Sequence, residues 1–254
     1  MQTVTSTDGT SIAYEQHGNG HPIVLVHGGS GSRQSWGALV PHLADEFSLV
    51  CMDRRGRGDS GDADAYDLDR EVADVRAVVE AVDGEPTLFG HSFGGLCALE
   101  AAQRVDVDRV ILYEPSLLVG EHRTGADLAT RMQDLVDAGE RERAVELFFR
   151  AGSGVEDVEQ LPVAQAATIV ETIVRENRAV EQYALADDLS IPAPTLLLTG
   201  EHGPAHLRDG VHALQDALSD SWLVELDGVG HVGIFSDPER VASEVRAFAG
   251  ASSP

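Results

Sequence analysis

Pro86-Thr87-Leu88-Phe89-Gly90-His91-Ser92-Phe93-Gly94-Gly95-Leu96-Cys97-Ala98-Leu99 decides the fold. An apolar run from Pro86 to Gly90 leads into Gly-His-Ser-Phe-Gly, and small and apolar residues from Gly94 to Arg104 lead out. The pattern predicts a strand that turns straight into a helix, with Ser92 at the corner in a strained, exposed position. Glycines two residues before and two after the serine let the neighbouring backbones pack that closely. A glycine-rich turn that merely contains a serine would not carry this strand-to-helix context.

Working outward, Pro22-Ile23-Val24-Leu25-Val26 runs into His27-Gly28-Gly29, and Phe47 to Met52 runs into Asp53. Such continuous apolar runs suit parallel strands covered on both faces. Leu68, Val72, Val75, Val79 and Val82 follow the 3.6-residue period of an amphipathic helix, and Arg109 to Tyr113 reads as the next strand. Strands alternating with helices predict a doubly wound, mostly parallel α/β sheet. The opening alternation around Asp8-Gly9 reads as a β-hairpin with a tight turn, its two strands at the sheet edge. From Ser116 to Asp188 helical patterns such as Leu128 to Ala138 and Ala144 to Arg150 follow one another without a strand, which predicts a helical cap (116–188) inserted into a core formed by 1–115 and 189–254. The rhythm resumes with Pro194 to Thr199, a helix near Leu207 to Leu218, the strand Trp222 to Leu226, and a closing helix from Pro238 to Ala249 with Asp237 as its cap. The short Ala-Ser-Ser-Pro tail is the one stretch of low complexity.

A serine hydroxyl is a poor nucleophile at neutral pH and needs a base; in a fold of this kind the histidine comes last in chain order, after the final strand. His231, in the loop Asp227-Gly228-Val229-Gly230-His231, stands there. Acyl transfer also needs N–H donors for a developing oxyanion, one following the nucleophile and one from a loop after an early strand. Phe93 and Gly29 fit. A phosphate-cradling role for His27-Gly28-Gly29-Ser30-Gly31 fails, because this loop matches neither G-x-x-x-x-G-K-[ST] nor a spaced G-x-G-x-x-G.

The chain has 254 residues, 43 acidic against 18 basic, a formal net charge of -25, and every basic residue is Arg. That charge argues against a nucleic-acid partner. It also far exceeds the roughly 2 to 8 units a small domain needs for solubility, so the composition resembles that of proteins from salt-loving archaea. No secretory leader or membrane-length apolar run is evident, and a cytoplasmic protein with a small-molecule substrate and no membrane partner is expected. Cys51 and Cys97 fall on a core strand and helix and read as small core residues. His202, His206 and His212 have near-helical spacing but lack the Cys or H-E-x-x-H context of a metal site, so no metal is expected.

These motifs together resemble the capped α/β-hydrolases, the family of esterases, lactonases, carbon–carbon bond hydrolases and cofactor-free haloperoxidases. The resemblance rests on His27-Gly28-Gly29, on Asp53-Arg54-Arg55-Gly56-Arg57-Gly58-Asp59-Ser60, on Gly90 to Gly94 and on Gly230-His231, and it spans nearly the whole chain. It implies hydrolysis of a small ester, thioester or lactone through an acyl-enzyme, without a cofactor. Cleavage of a carbon–carbon bond or perhydrolysis by the same residues is the alternative, and a binding protein that has lost turnover a further one. A serine rather than an aspartate at position 92 argues against epoxide hydrolases and haloalkane dehalogenases. The resemblance makes the Asp53 to Ser60 turn structural. It fails at one point: the aspartate that most relatives carry three residues after the glycine ending the next-to-last strand is here Gly203, in Thr199-Gly200-Glu201-His202-Gly203. Some relatives place the acid after the strand that follows the elbow helix, where this chain has Glu114; Glu201 is the second candidate.

Overall fold

The computed structural model describes residues 1–250; the Ala-Ser-Ser-Pro tail lies outside them. Eight strands form one sheet in the order β1-β2-β4-β3-β5-β6-β7-β8: β1 (Gln2–Thr5), β2 (Ser11–His17), β3 (His21–Val26), β4 (Phe47–Met52), β5 (Thr87–His91), β6 (Arg109–Tyr113), β7 (Thr195–Gly200) and β8 (Ser221–Leu226). All neighbours from β4 to β8 are parallel, and β1 and β2 join antiparallel.

The hairpin differs from its sequence reading in two respects. Of its two strands only β1 lies at the sheet edge, because β2 pairs with β4 on its other side, Tyr14 opposite Met52. The turn is also wider than an Asp-Gly pair. It is closed by Ser6 N–H donating to the Thr10 carbonyl at 2.8 Å, and the Asp8 carboxylate accepts from Thr10 N–H and from Arg55 and Arg70.

Helices α1 (Val40–Leu43), α2 (Leu68–Glu80) and α3 (Phe93–Ala101) precede β6; α4 (Gly120–Thr124), α5 (Leu128–Asp137), α6 (Arg141–Leu147), α7 (Val163–Ala167) and α8 (Val170–Gln182) lie between β6 and β7; α9 (Ala205–Ala217), α10 (Gly233–Ser236) and α11 (Pro238–Ala249) complete the chain. Asp237 caps α11 by accepting from Arg240 N–H. Residues alternate along the strands between two cores. Val24 and Val26 pack with α2 and α3, whereas Ile23 and Leu25 pack with Trp36, Leu43 and α11. The segment between β6 and β7 has a third core of its own, around Met132, Val145, Phe149 and Ile173. The single helix expected over Ala144 to Arg150 is broken: α6 stops at Leu147 and a π-helical turn covers Phe148–Gly152. Such turns re-aim side chains, and here Phe148 lines the cavity over the sheet. No helix among the described residues is long and apolar enough to cross a membrane. Cys51 and Cys97 are both buried and unbridged.

Candidate active site

Ser92 joins β5 to α3 with φ 57° and ψ −125°, one of two non-glycine residues at positive φ among the described residues. The surroundings hold this strained corner in place. Ser92 N–H donates to the Tyr113 carbonyl at 3.0 Å, and the Ser92 carbonyl accepts from Gly95, Leu96 and Ser116. A Cβ at Gly90 would meet Ala98 Cβ at 2.7 Å, and one at Gly94 would collide with the Val26 and His27 carbonyls, so neither position admits a side chain.

His231 comes from the loop after β8. Its Nε2 lies 3.0 Å from Ser92 Oγ and its Nδ1 lies 2.7 Å from Glu114 Oε2. Tyr113 Oη anchors this loop by donating to the Gly230 carbonyl at 2.5 Å. His91 anchors it again, donating from Nε2 to the His231 carbonyl at 2.8 Å, with the two rings 4.7 Å apart.

Burial, and next the charge of His231, push His91 down to about 3 from an ordinary 6.5, so it is neutral. A folded value below the unfolded one means that its contribution to stability is complete above about pH 6.5 and is lost as pH falls toward 3. At pH 5.5 the loss from this one group is about 1 kcal/mol. His91→Gln keeps a donor for the His231 carbonyl but cannot take up the proton. Urea unfolding of the variant at pH 7 and pH 5.5 should show a stability loss smaller than the wild type's by about 1 kcal/mol, and equal losses would place the acid sensitivity elsewhere.

Glu114 is the other non-glycine residue at positive φ, 40°, and is fully buried. Its Oε1 accepts from Thr199 Oγ1 at 3.0 Å and from Gly200 N–H at 2.8 Å, which leaves Oε2 for His231. A Cβ at Gly203 would collide with this carboxylate, its nearest neighbour being Glu114 Oε1. The glycine at the position where most relatives carry their acid is thus a steric requirement of the carboxylate that arrives from β6. Glu201 goes elsewhere: it is exposed, and its Oε2 accepts from Gly228 N–H at 2.7 Å.

A cavity of about 230 Å³ opens above Ser92, with Gly29, Phe93, Ser116, Phe148 and Glu176 among its lining residues. Gly29 and Phe93 flank Ser92 on the loop after β3 and at the first turn of α3. The Gly29 carbonyl is held from behind by Arg57, through Nη2 at 2.5 Å and Nε at 3.2 Å. His27 fixes the same loop, with Nδ1 donating to the Gly28 carbonyl at 2.8 Å and Nε2 accepting from Arg54 N–H at 3.1 Å. Ser116 Oγ lies 3.4 Å from Ser92 Oγ. Of the three histidines with near-helical spacing, His206 alone lines the cavity, and no His, Cys and carboxylate cluster fit for a metal occurs among the described residues.

One group escaped the sequence reading. Beneath the cavity Arg54 bonds Glu71 and Glu176, and Arg57 bonds Glu176, all of them buried. The Arg54 guanidinium also lies 4.8 Å from the centre of the Phe93 ring. The Asp53 to Ser60 turn therefore reaches the site it was set apart from. A signal existed, since Glu176 sits between Ile173 and Val180 on the apolar stripe of α8, where an unpaired carboxylate would not be stable.

The chain is similar to known hydrolases along its whole length. An α/β hydrolase from Sphaerobacter thermophilus superposes with a TM-score of 0.86 at 32% identity, covering 98% of this chain and 100% of that one. The 2-hydroxy-6-oxo-6-(2'-aminophenyl)hexa-2,4-dienoic acid hydrolase of Metapseudomonas resinovorans is 23% identical over 98% of this chain and 90% of its own. The pimeloyl-[acyl-carrier protein] methyl ester esterase of Nitrosospira multiformis is 27% identical over 94% and 98% respectively. The sequence profile of the Alpha/beta hydrolase family matches residues 23–244, and with an eight-stranded, mostly parallel sheet the chain is a hydrolase that belongs to that family.

Proposed function

We infer that the protein is a serine hydrolase that cleaves a small carboxylic ester, thioester or lactone through an acyl-enzyme. The observation that carries this reading is the unbroken run of hydrogen bonds from Ser92 Oγ through His231 to Glu114, at 3.0 and 2.7 Å, opening on one cavity. His231 Nε2 takes the Ser92 proton as Oγ attacks the carbonyl carbon, and then returns it to the leaving oxygen or sulfur. Glu114 holds the Nδ1 proton and stabilises the imidazolium. The backbone N–H groups of Gly29 and Phe93 receive the oxyanion, the second with the favourable field of the α3 N-terminus. Water deacylates Ser92 by the same route in reverse. The reaction needs no cofactor, and helices α4 to α8 act as the cap under which the substrate is chosen.

The test is hydrolysis of p-nitrophenyl esters from acetate to decanoate, in molar KCl because the net charge of -25 makes salt screening part of the reading of a protein adapted to high salt. A cavity of about 230 Å³ lies below the roughly 300 to 1,000 Å³ of drug-sized sites. The expected result is a pre-steady-state burst of one p-nitrophenolate per enzyme, kcat/KM that falls toward decanoate, and loss of both activity and helical circular dichroism after dialysis into low salt. Absence of any turnover by the folded protein in KCl would overturn the ester reading. The similarity to the Metapseudomonas hydrolase supports carbon–carbon bond cleavage by the same serine and histidine as the second reading.

A further inference from the structure

Glu176 has one carboxylate oxygen fully engaged and one free. Oε1 accepts from Arg54 Nη2 at 3.0 Å and Arg57 Nη2 at 2.7 Å. Oε2 is buried and has no hydrogen-bond partner. Its direction is fixed by Gly29: a Cβ placed there would meet Glu176 Oε2 at 3.2 Å and Phe148 Cζ at 3.4 Å. The free oxygen therefore points into the cavity beside the backbone proposed to receive the oxyanion, with an apolar ring next to it. A buried acceptor left unpaired costs about 1 to 3 kcal/mol, more when charged, so this site is built to be completed by a donor.

We propose that Glu176 is a specificity-determining residue whose Oε2 accepts a hydrogen bond from a neutral hydroxyl carried by the substrate close to its scissile carbonyl, which makes hydroxyacyl esters the preferred substrate class. This rests on the serine-hydrolase reading above. The donor is neutral because of what surrounds the carboxylate. Arg54 and Arg57 already face Glu176, and with Glu71 on Arg54 the four side chains balance in charge. An ammonium at Oε2 would sit near the two guanidinium groups that already neutralise Glu176 and Glu71, whereas a hydroxyl adds a donor and no charge. Burial raises the Glu176 carboxyl above the ordinary carboxylate range, and Arg54 and Arg57 offset part of that rise. A substrate without the hydroxyl would leave Oε2 desolvated and unpaired, the arrangement by which sites discriminate most sharply.

The experiment compares ethyl butyrate with ethyl 2-hydroxybutyrate, ethyl 3-hydroxybutyrate and ethyl 3-aminobutyrate, both enantiomers of each, by pH-stat in KCl. The wild type should prefer one hydroxy ester over ethyl butyrate on the order of 10- to 100-fold in kcat/KM, as a hydrogen bond to a charged group implies. In Glu176→Gln the amide oxygen stays on the arginines and the NH2 turns to the cavity, so a donor replaces the acceptor. A hydroxyl can still accept from that NH2, but the bond is no longer charge-assisted, so the ratio of hydroxy to unsubstituted ester should fall several-fold. Turnover of ethyl butyrate that is lost in Ser92→Ala, together with equal wild-type rates on the hydroxy esters, would overturn the role of Glu176 and leave the hydrolase reading standing. A preference that Glu176→Gln leaves undiminished, or a preference for the amino ester, would overturn it also. If no ester in the series turns over, both fall together. The wild-type comparison stands even if the variant does not fold.

Discussion

Ser92→Ala is expected to lower kcat for p-nitrophenyl butyrate by a factor on the order of 10⁴ to 10⁶ while the protein stays folded and still binds ester. The magnitude follows from what is removed. In the proposed mechanism no acyl-enzyme forms without Oγ, and His231, 3.0 Å away, has no proton to take. What survives is binding and the N–H groups of Gly29 and Phe93, which in serine hydrolases retain roughly 10³- to 10⁴-fold over the water reaction. Stability should change little, because alanine at φ 57° carries the same backbone strain as serine and the small side chain leaves no large cavity. Ser116→Ala is the control. Its hydroxyl lies 3.4 Å from Ser92 Oγ but has no base of its own, so its loss should cost less than about tenfold. The measurements are kcat, the pre-steady-state burst and the melting temperature. Full activity in Ser92→Ala, or a larger loss in Ser116→Ala, would move the nucleophile away from Ser92.

What could be read from the sequence was whatever local patterning controls. The strands from His21 to Tyr113 announce themselves as apolar runs because both faces of a parallel sheet are covered. The elbow is legible because a strand-to-helix corner tolerates few residue types. Long-range geometry was not legible. The Arg54 to Glu176 bond joins residues 122 positions apart, and nothing near either residue says which partner the other will find. The partition of β1 and β2 into edge and inner strand depended on β4 arriving beside β2. The break at Leu147 depended on packing that turns Phe148 over the cavity, against a local helical period that continues past it. Gly203 lies between these extremes. The sequence reveals that the usual acid is missing, and the structure supplies the physical reason, a carboxylate from another strand in the space a side chain would need.

That displaced carboxylate carries the second large effect. Glu114→Gln should lower kcat by about 10⁴-fold with little change in KM or melting temperature, the size seen when an aspartate orienting a catalytic histidine becomes asparagine. The cause lies in the donors around the side chain. Thr199 Oγ1 and Gly200 N–H both aim at Oε1 and require an acceptor there, so the amide oxygen takes that place and the NH2 faces His231 Nδ1. Nδ1 must then accept, and the ring proton moves to Nε2, where it faces Ser92 Oγ and blocks proton transfer. Imidazole NMR reads the tautomer directly, and the kcat profile should become dependent on hydroxide as the residual reaction bypasses the histidine. Glu201→Gln, on an exposed side chain bonded to Gly228 N–H, should leave kcat within about twofold. The double variant Glu114→Gly with Gly203→Asp tests the geometry itself. It empties the space at β6 and returns an acid to the position most relatives use, and glycine accepts the φ of 40° at 114 without strain. The expected result is recovery of at least part of the 10⁴-fold loss relative to Glu114→Gly alone. An unimpaired Glu114→Gln enzyme would remove Glu114 from the chemistry, whatever the outcome of the rescue.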